Sequence, residues 1–502
     1  MKRKKLVALG LAAVMAAGAL TGCGGASTDK KKAVAEGTTD SGEKQEAVNI
    51  KIHTIISDQQ DGEAVMDALN EYTREKIGVT VDYVFHGGAY ADKIQTIIAS
   101  GEEYDACFTS NWLNPYNTNV AKGAFLNIQD LLPEAAPQLY KLIPDYMWEG
   151  VTVDSGIYAI PNQQIVARQM FTCLSKEFAD FAESKGIKTA DIKDLKTAEN
   201  YAQVIYDEYG AKLGGIDFTQ SSSYCGYECI SDYLSAGVIK MDDKTARVVN
   251  FYETDEWMDL LKELEKLNAM GLLDGECGYM PEYAESQSRA NKISLQYGGT
   301  YKPGVEAEEE ARRGMKFVTA STMDVPPYIS TNSITATMYG ISVTSKHPEE
   351  TLKYLQLINT DPYAINLLAY GIEGKHYEKI DDHFIRTIPD SGYSHGQSWG
   401  LGNVFNTYAL DGQPEDVWAQ TKAMNDSAVV SPILGFSFNS EPVKSEITNV
   451  AKVVKQYESL VGGELPVEET NEEFLKKLDV AGIDTIIAEM QKQVDAFLAK
   501  RG

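Results

Sequence analysis

The sequence predicts an α/β protein of more than one domain, on three observations. Residues 48–108 alternate between strand-like and helix-like segments, the pattern of a parallel sheet covered by helices. The chain has 502 residues, beyond the length at which one hydrophobic core stops growing. After the N-terminal segment, no stretch is apolar over the roughly 18 residues that suggest a membrane span.

The elements follow in chain order. Lys2, Arg3, Lys4 and Lys5 stand next to the initiator, and an uncharged apolar run extends from Leu6 to Leu20. The small residues Thr21 and Gly22 then precede Cys23. Charged, apolar and small parts in this order predict a secretory signal over residues 1–22. Residues 23–47 hold Gly, Ser, Thr, Lys, Glu and Asp with almost nothing apolar. Such a segment cannot bury enough surface to offset its ordering entropy, so a disordered tether is expected.

Residues 48–54 alternate apolar and polar and predict a strand. Val65, Met66, Leu69, Tyr72 and Ile77 form a helical stripe over residues 62–77. A second strand is predicted at 79–85, a helix at 89–100 and a third strand at 104–108. In open parallel sheets, ligands bind beyond the carboxyl ends of strands. Residues 109–116 lie at such an end and include Asn111, Trp112 and Tyr116. Strands are predicted at 156–164, 165–174, 291–297 and 339–345. Helices are predicted at 176–185, 197–213, 256–270 and 348–360. The Pro326-Pro327 pair suits a stiff linker. A loop at 432–436 is followed by helical periodicity at 446–460 and 471–500.

Composition excludes several classes. The chain carries 73 Asp and Glu against 46 Lys and Arg, a net charge of −27. Removing residues 1–22 takes away four bases and no acid, leaving −31. A chain this acidic is a poor binder of nucleic acid or of an anionic membrane. Cys107, Cys173, Cys225, Cys229 and Cys277 show no framework spacing, although Cys225 and Cys229 are close enough to bridge or to share a helix face. None of the 6 His forms a zinc-binding helical pattern with Glu, so neither a metal nor another cofactor is expected. No nucleophile elbow or phosphate loop occurs. With 73 acids, a carboxylate pair for glycoside hydrolysis is uninformative.

Several segments together carry a resemblance. They are Leu20-Thr21-Gly22-Cys23, the polar tether, the β-α-β-α-β order, Ile157-Tyr158-Ala159-Ile160-Pro161, GISVTSKHPEETLKYL from Gly340 and WGLGNVF from Trp399. In this order they resemble the extracellular solute-binding proteins of family 1, the type 2 binding proteins of ABC importers. The tail, with SPILGFSFNSEPVKSEI and LDVAGIDTIIAEMQKQVDAFL, is similar to a C-terminal domain of unknown function in a LipO-like subgroup of lipoproteins. The resemblance spans essentially the whole mature chain; the lipobox and the tail are its most specific parts.

The resemblance implies a periplasmic-binding-protein-like type II fold, with two α/β lobes, a hinge and a ligand cleft. Lobe one would be 48–161 and 328–370. Lobe two would be 162–327 and 371–502, with a helical C-terminal region from about 430. The chain would cross near residues 160–164, 326–329 and 371. Cys23 would carry a lipid that anchors the protein at the extracellular face of a bacterial membrane. The implied role is delivery of a small solute to ABC permease subunits, by a monomer that is not an enzyme. Sugars or oligosaccharides are the commonest ligands of the family; peptides or other solutes are the alternative. A secreted glycoside hydrolase and a lectin without transport are alternatives of another class.

Sugar recognition needs aromatic faces for C–H surfaces and planar polar groups for hydroxyls. Among 28 Tyr and 5 Trp, the loop clusters are the candidates. They are Asn111, Trp112 and Tyr116; Gln163, Gln164 and Arg168; Tyr224 and Tyr227; Tyr297 and Tyr301, around two glycines that let backbone approach a ligand; and Trp399 with Asn403. Trp112 is expected on lobe one and Trp399 on lobe two. Each aromatic has packing as its alternative. Arg168 is expected to pair with an acid of its own chain rather than to clamp a ligand carboxylate. Trp148, Trp257 and Trp418 are expected in the core or on helix faces. Glu306 to Glu310 is expected to be a solvated helix face.

Overall fold

The alternating segment Val48–Thr54 forms strand β1, and the stripe Gly62–Ile77 forms helix α1, which buries Val65, Leu69 and Thr73. The helix stops at Gly78, where a φ of 68° lets the glycine N–H return to the Arg74 carbonyl. Strand β2 (Val79–Phe85), helix α2 (Tyr90–Ser100) and strand β3 (Ala106–Thr109) complete the predicted unit. β1 lies parallel to β2 on one side and to β3 on the other. The computed structural model of the protein describes residues 46–501, apart from 232, 233, 235 and 323–325. The expected signal, the lipid-bearing Cys23 and the tether up to residue 45 lie outside these residues.

After β4 (Ala159–Pro161) the chain builds a second body. It contains β5 (Phe171–Ser175), α3 (Lys176–Ser184), α4 (Leu195–Tyr209) and β6 (Lys212–Leu213). Asp194 caps α4 by accepting the Thr197 N–H. Then come β7 (Tyr227–Cys229), β8 (Gly237–Lys240), β9 (Val248–Asn250) and α5 (Asp255–Ala269). β10 (Ile293–Gly298), α6 (Val305–Arg313) and β11 (Phe317–Thr322) follow. β5 is the antiparallel centre of a sheet ordered β11-β5-β10-β6.

β12 (Tyr328–Ile329) leads back to the first body. There β13 (Met338–Ile341) slots antiparallel between β3 and β4, giving the order β2-β1-β3-β13-β4. Helices α7 (Pro348–Thr360) and α8 (Pro362–Tyr370) cover that sheet. After β14 (Val429–Val430) the tail forms α9 (Lys444–Tyr457), α10 (Val467–Ala481) and α11 (Ile483–Arg501).

Among the described residues two large cores result, beside a small cluster of Phe171, Cys173, Val305 and Phe317. One gathers Ile50, Ile52, Leu69, Phe108, Tyr339 and Leu355; the other gathers Leu174, Tyr201, Trp257, Leu261, Phe474 and Met490. The tail therefore belongs to the second core. Trp257 is fully buried there and donates its indole N–H to Asn471 at 3.0 Å.

Three expectations are corrected. The helical periodicity over 471–500 belongs to two helices rather than one, because Gly482 takes a φ of 96° that ends α10. Only the end of the 165–174 segment is a strand; residues 165–170 are irregular because they form a crossing. Residues 371–428, expected on lobe two, pack on the first core. Tyr393 and Leu401 are part of it, and Asn366 on α8 donates to the Asn406 carbonyl and accepts the Tyr408 N–H.

The third crossing thus falls at β14, not near Gly371. β12 and β14 pair in parallel, and Arg168 and Tyr328 exchange backbone hydrogen bonds of 2.8 and 2.9 Å. Three chain segments run side by side between the cores.

Candidate ligand-binding site

A cleft of about 510 Å³ opens between the two cores. The first body contributes Trp112, Ala336, Thr337 and Trp399. The crossing contributes Gln164, Ile165 and Arg168. The second body contributes the edge of β5 and β10, the turn Gly298-Gly299-Thr300, Lys302 and the start of α6. This volume lies within the range of small-molecule sites.

Local structure sets each side chain. Trp112 follows the carboxyl end of β3. Its indole N–H donates to the Ala336 carbonyl at 2.8 Å, and its edge rests on Phe108 with ring centres 6.2 Å apart. With that polar handle satisfied, the ring remains 57% exposed, a held aromatic platform. Trp399 touches the other side of Phe108, at 6.5 Å between ring centres, and is half-buried. Gln164 donates to the Thr337 hydroxyl at 2.7 Å. The cleft therefore pairs two indole faces with amide and hydroxyl groups.

Arg168 is the electrostatic feature of the cleft. Its guanidinium donates to the Thr300 hydroxyl, and no carboxylate among the described residues forms an ion pair with it. Desolvation lowers its pKa from the usual guanidinium value. Among the described residues, the expected pairing with an acid of its own chain is not found. The nearby Lys302 is paired instead, with Glu308 at 2.8 Å.

Below the crossing lies a second charged group. Glu228, on β7, is buried and accepts the Tyr328 hydroxyl at 2.9 Å and the Ser431 hydroxyl at 2.7 Å, both on the same oxygen. Burial pushes its carboxyl up to about 7, against the lowering effect of the two hydroxyls.

The description "Bacterial extracellular solute-binding protein" matches residues 57–365, and "Domain of unknown function (DUF3502)" matches residues 432–499. The chain belongs to the bacterial extracellular solute-binding proteins. A carbohydrate ABC transporter substrate-binding protein of Streptococcus pneumoniae is 28% identical, over all of both chains. The N-glycan transport solute binding protein NgtS of that organism superposes with a TM-score of 0.80 at 25% identity, over 91% of this chain and 100% of its own. NgtS in complex with Man1GlcNAc superposes at 0.72 with 24% identity, over 90% of this chain and 99% of its own. The 28% identical relative is the substrate-binding component of an ABC transporter, and this solute-binding protein is likewise not an enzyme.

In this solute-binding protein, Trp112, Gln164, Arg168, Tyr297 and Trp399 meet at the cleft, while the other sequence candidates do not line it. Asn111 is exposed beside Trp112, its N–H bonded to the Thr335 carbonyl. Tyr116 is 1% exposed and donates to the Val151 carbonyl, a core tie. Gln163 is buried, with its backbone bridging Gly402 and Val404. Asn403 is buried and donates to the Asn359 carbonyl. Tyr301 packs against Phe171. Tyr224 stands behind Tyr297 and faces a separate cavity of about 290 Å³. Tyr227 is buried and donates to Glu256.

Further expectations change. Trp399 packs on the first body, not the second. A side chain at Gly298 would strike the Phe171 ring, and one at Gly299 would strike Gln220, so internal packing holds both positions to glycine while their turn also borders the cleft. The acidic run is only partly a solvated face, with Glu310 exposed. Glu306 accepts the Thr319 hydroxyl at 2.5 Å, and Glu308 and Glu309 line the cleft. Sequence reading missed Lys302, Thr337 and these acids, because a charge run looks the same whether it faces water or a cleft. The five described cysteines form no disulfide, so Cys225 and Cys229 are not bridged.

Proposed function

We propose that this protein captures an oligosaccharide in the interlobe cleft and hands it to the permease subunits of an ABC importer. The observation that carries the reading is the pairing of Trp112 and Trp399 with Gln164, Thr337 and Arg168 in one cleft between two cores. Indole faces suit the C–H side of a sugar ring, and the amide, hydroxyl and guanidinium suit its hydroxyls. The carbohydrate ABC transporter relative and the NgtS complex with Man1GlcNAc support the same class of ligand. Closure of the lobes about the three crossings would bring both bodies onto the solute.

Calorimetric titration against neutral oligosaccharides and short peptides, repeated at saturation by small-angle scattering, tests this reading. An oligosaccharide is expected to bind and to reduce the radius of gyration. Binding of peptides alone would replace the carbohydrate reading, and binding without contraction would remove the closure.

The N-terminal segment supports a lipid anchor on Cys23 at the extracellular face of the membrane. Metabolic labelling with a fatty-acid probe should mark the natural chain and not Cys23→Ala. Equal label on both would end that reading.

A further inference from the structure

We propose that the solute carries a carboxylate, and that Arg168 receives it. The inference rests on the carbohydrate reading and narrows it to an acidic sugar. Arg168 lies where the first crossing enters the cleft, with its backbone locked to Tyr328 by two hydrogen bonds. The guanidinium has five N–H donors in a fixed fork, and among the described residues it donates to one acceptor, the Thr300 hydroxyl. That bond aims the group without neutralising it.

The other charges of the cleft do not offset it. Lys302 pairs with Glu308 at 2.8 Å, and none of the ion pairs among the described residues joins Arg168 to Glu308 or Glu309. Among the described residues, Arg168 is therefore a desolvated cation with no anion of its own, in a chain that carries 27 more acids than bases. With so many carboxylates available, an internal partner would have been easy to supply. Buried charge is tolerated when it is paired, and closure around a solute would remove the remaining water from this one. A neutral sugar offers hydroxyl oxygens but no counter-charge. A carboxylate offers both, in the planar two-oxygen shape that a guanidinium matches. The net charge of the chain opposes long-range attraction of anions, so recognition would be local. At physiological salt, screening over about 8 Å makes that distant opposition small.

The test compares each member of a panel of uronic- and sialic-acid-bearing oligosaccharides with its own methyl ester, which keeps the shape and removes the charge. Neutral oligosaccharides complete the panel, and calorimetry reads affinity on the natural protein. The acid is expected to bind about tenfold or more tightly than its ester, the scale of a charge-assisted hydrogen bond. Arg168→Gln should bring the ratio close to one, and Arg168→Lys should recover part of it. Melting curves identify a variant that does not fold, and the ester comparison on the natural chain decides the matter without any variant. Equal binding of acid and ester, or binding of neutral oligosaccharides alone, would overturn the inference and leave the carbohydrate reading standing. Binding of no member of the panel would overturn both.

Discussion

Trp112 and Trp399 share a neighbour, Phe108, but differ in how the fold holds them. Trp112 is 57% exposed and tied down by one indole hydrogen bond, so its ring stabilises the free protein little. Trp399 is half-buried against the first core and contributes to that core as well as to the cleft. Trp112→Ala should therefore weaken oligosaccharide binding by roughly 1–3 kcal/mol with little change in melting temperature. Trp399→Ala should lower both. Calorimetry and melting curves on the two variants separate the outcomes. A Trp112→Ala protein that melts much lower yet binds normally would move that ring from the site to the core. Loop position exposed both aromatics as candidates in the sequence, but which body holds Trp399 was not legible there. The hydrogen bonds of Asn366 that attach residues 371–428 to α8 are long-range contacts, which local pattern does not reveal.

At the scale of elements, β1, α1 and β2 stand within the bounds their patterns predict; α1 buries one stripe, and β1 and β2 keep one exposed position each, Asn49 and Asp82. Pattern fades where both faces are buried. All four residues of β3 are buried, and the strand sits two residues downstream of its predicted start. α6 shows the opposite failure. Its acids read as solvent-facing, yet Glu306 turns inward to Thr319 and its neighbours border the cleft. The crossings were partly legible, since Pro326-Pro327 marks one and the turn after Pro161 another. The third has no such mark. Val429 and Val430 become a crossing strand only by pairing with Tyr328 and Ile329 across 101 positions of sequence.

For the whole molecule, the hinge carboxyl links stability to pH. Glu228 sits on the second body and receives hydroxyls from two crossings, Tyr328 and Ser431, so it ties the connection between the cores together. No charged side chain contributes to its perturbation; burial raises it and the two hydroxyls oppose the rise. Its carboxyl titrates at about 7 in the folded protein, against an ordinary 4.5. The folded chain therefore holds this proton more tightly than the unfolded chain does. Between about pH 4.5 and 7 the folded state binds more protons, so stability falls as pH rises through that window, by about 3 kcal/mol in total. Above it, an ionised carboxylate is kept in the hinge at that cost. Glu228→Gln removes the titration and retains one oxygen, which is enough because both hydroxyls reach the same atom. The variant should melt higher than the natural protein at pH 8, and its melting temperature should vary less between pH 5 and 8. Melting curves across that range on both proteins give the comparison. A variant with the same slope as the natural chain, or one that melts lower at pH 8, would show that Glu228 is not held protonated by the hinge.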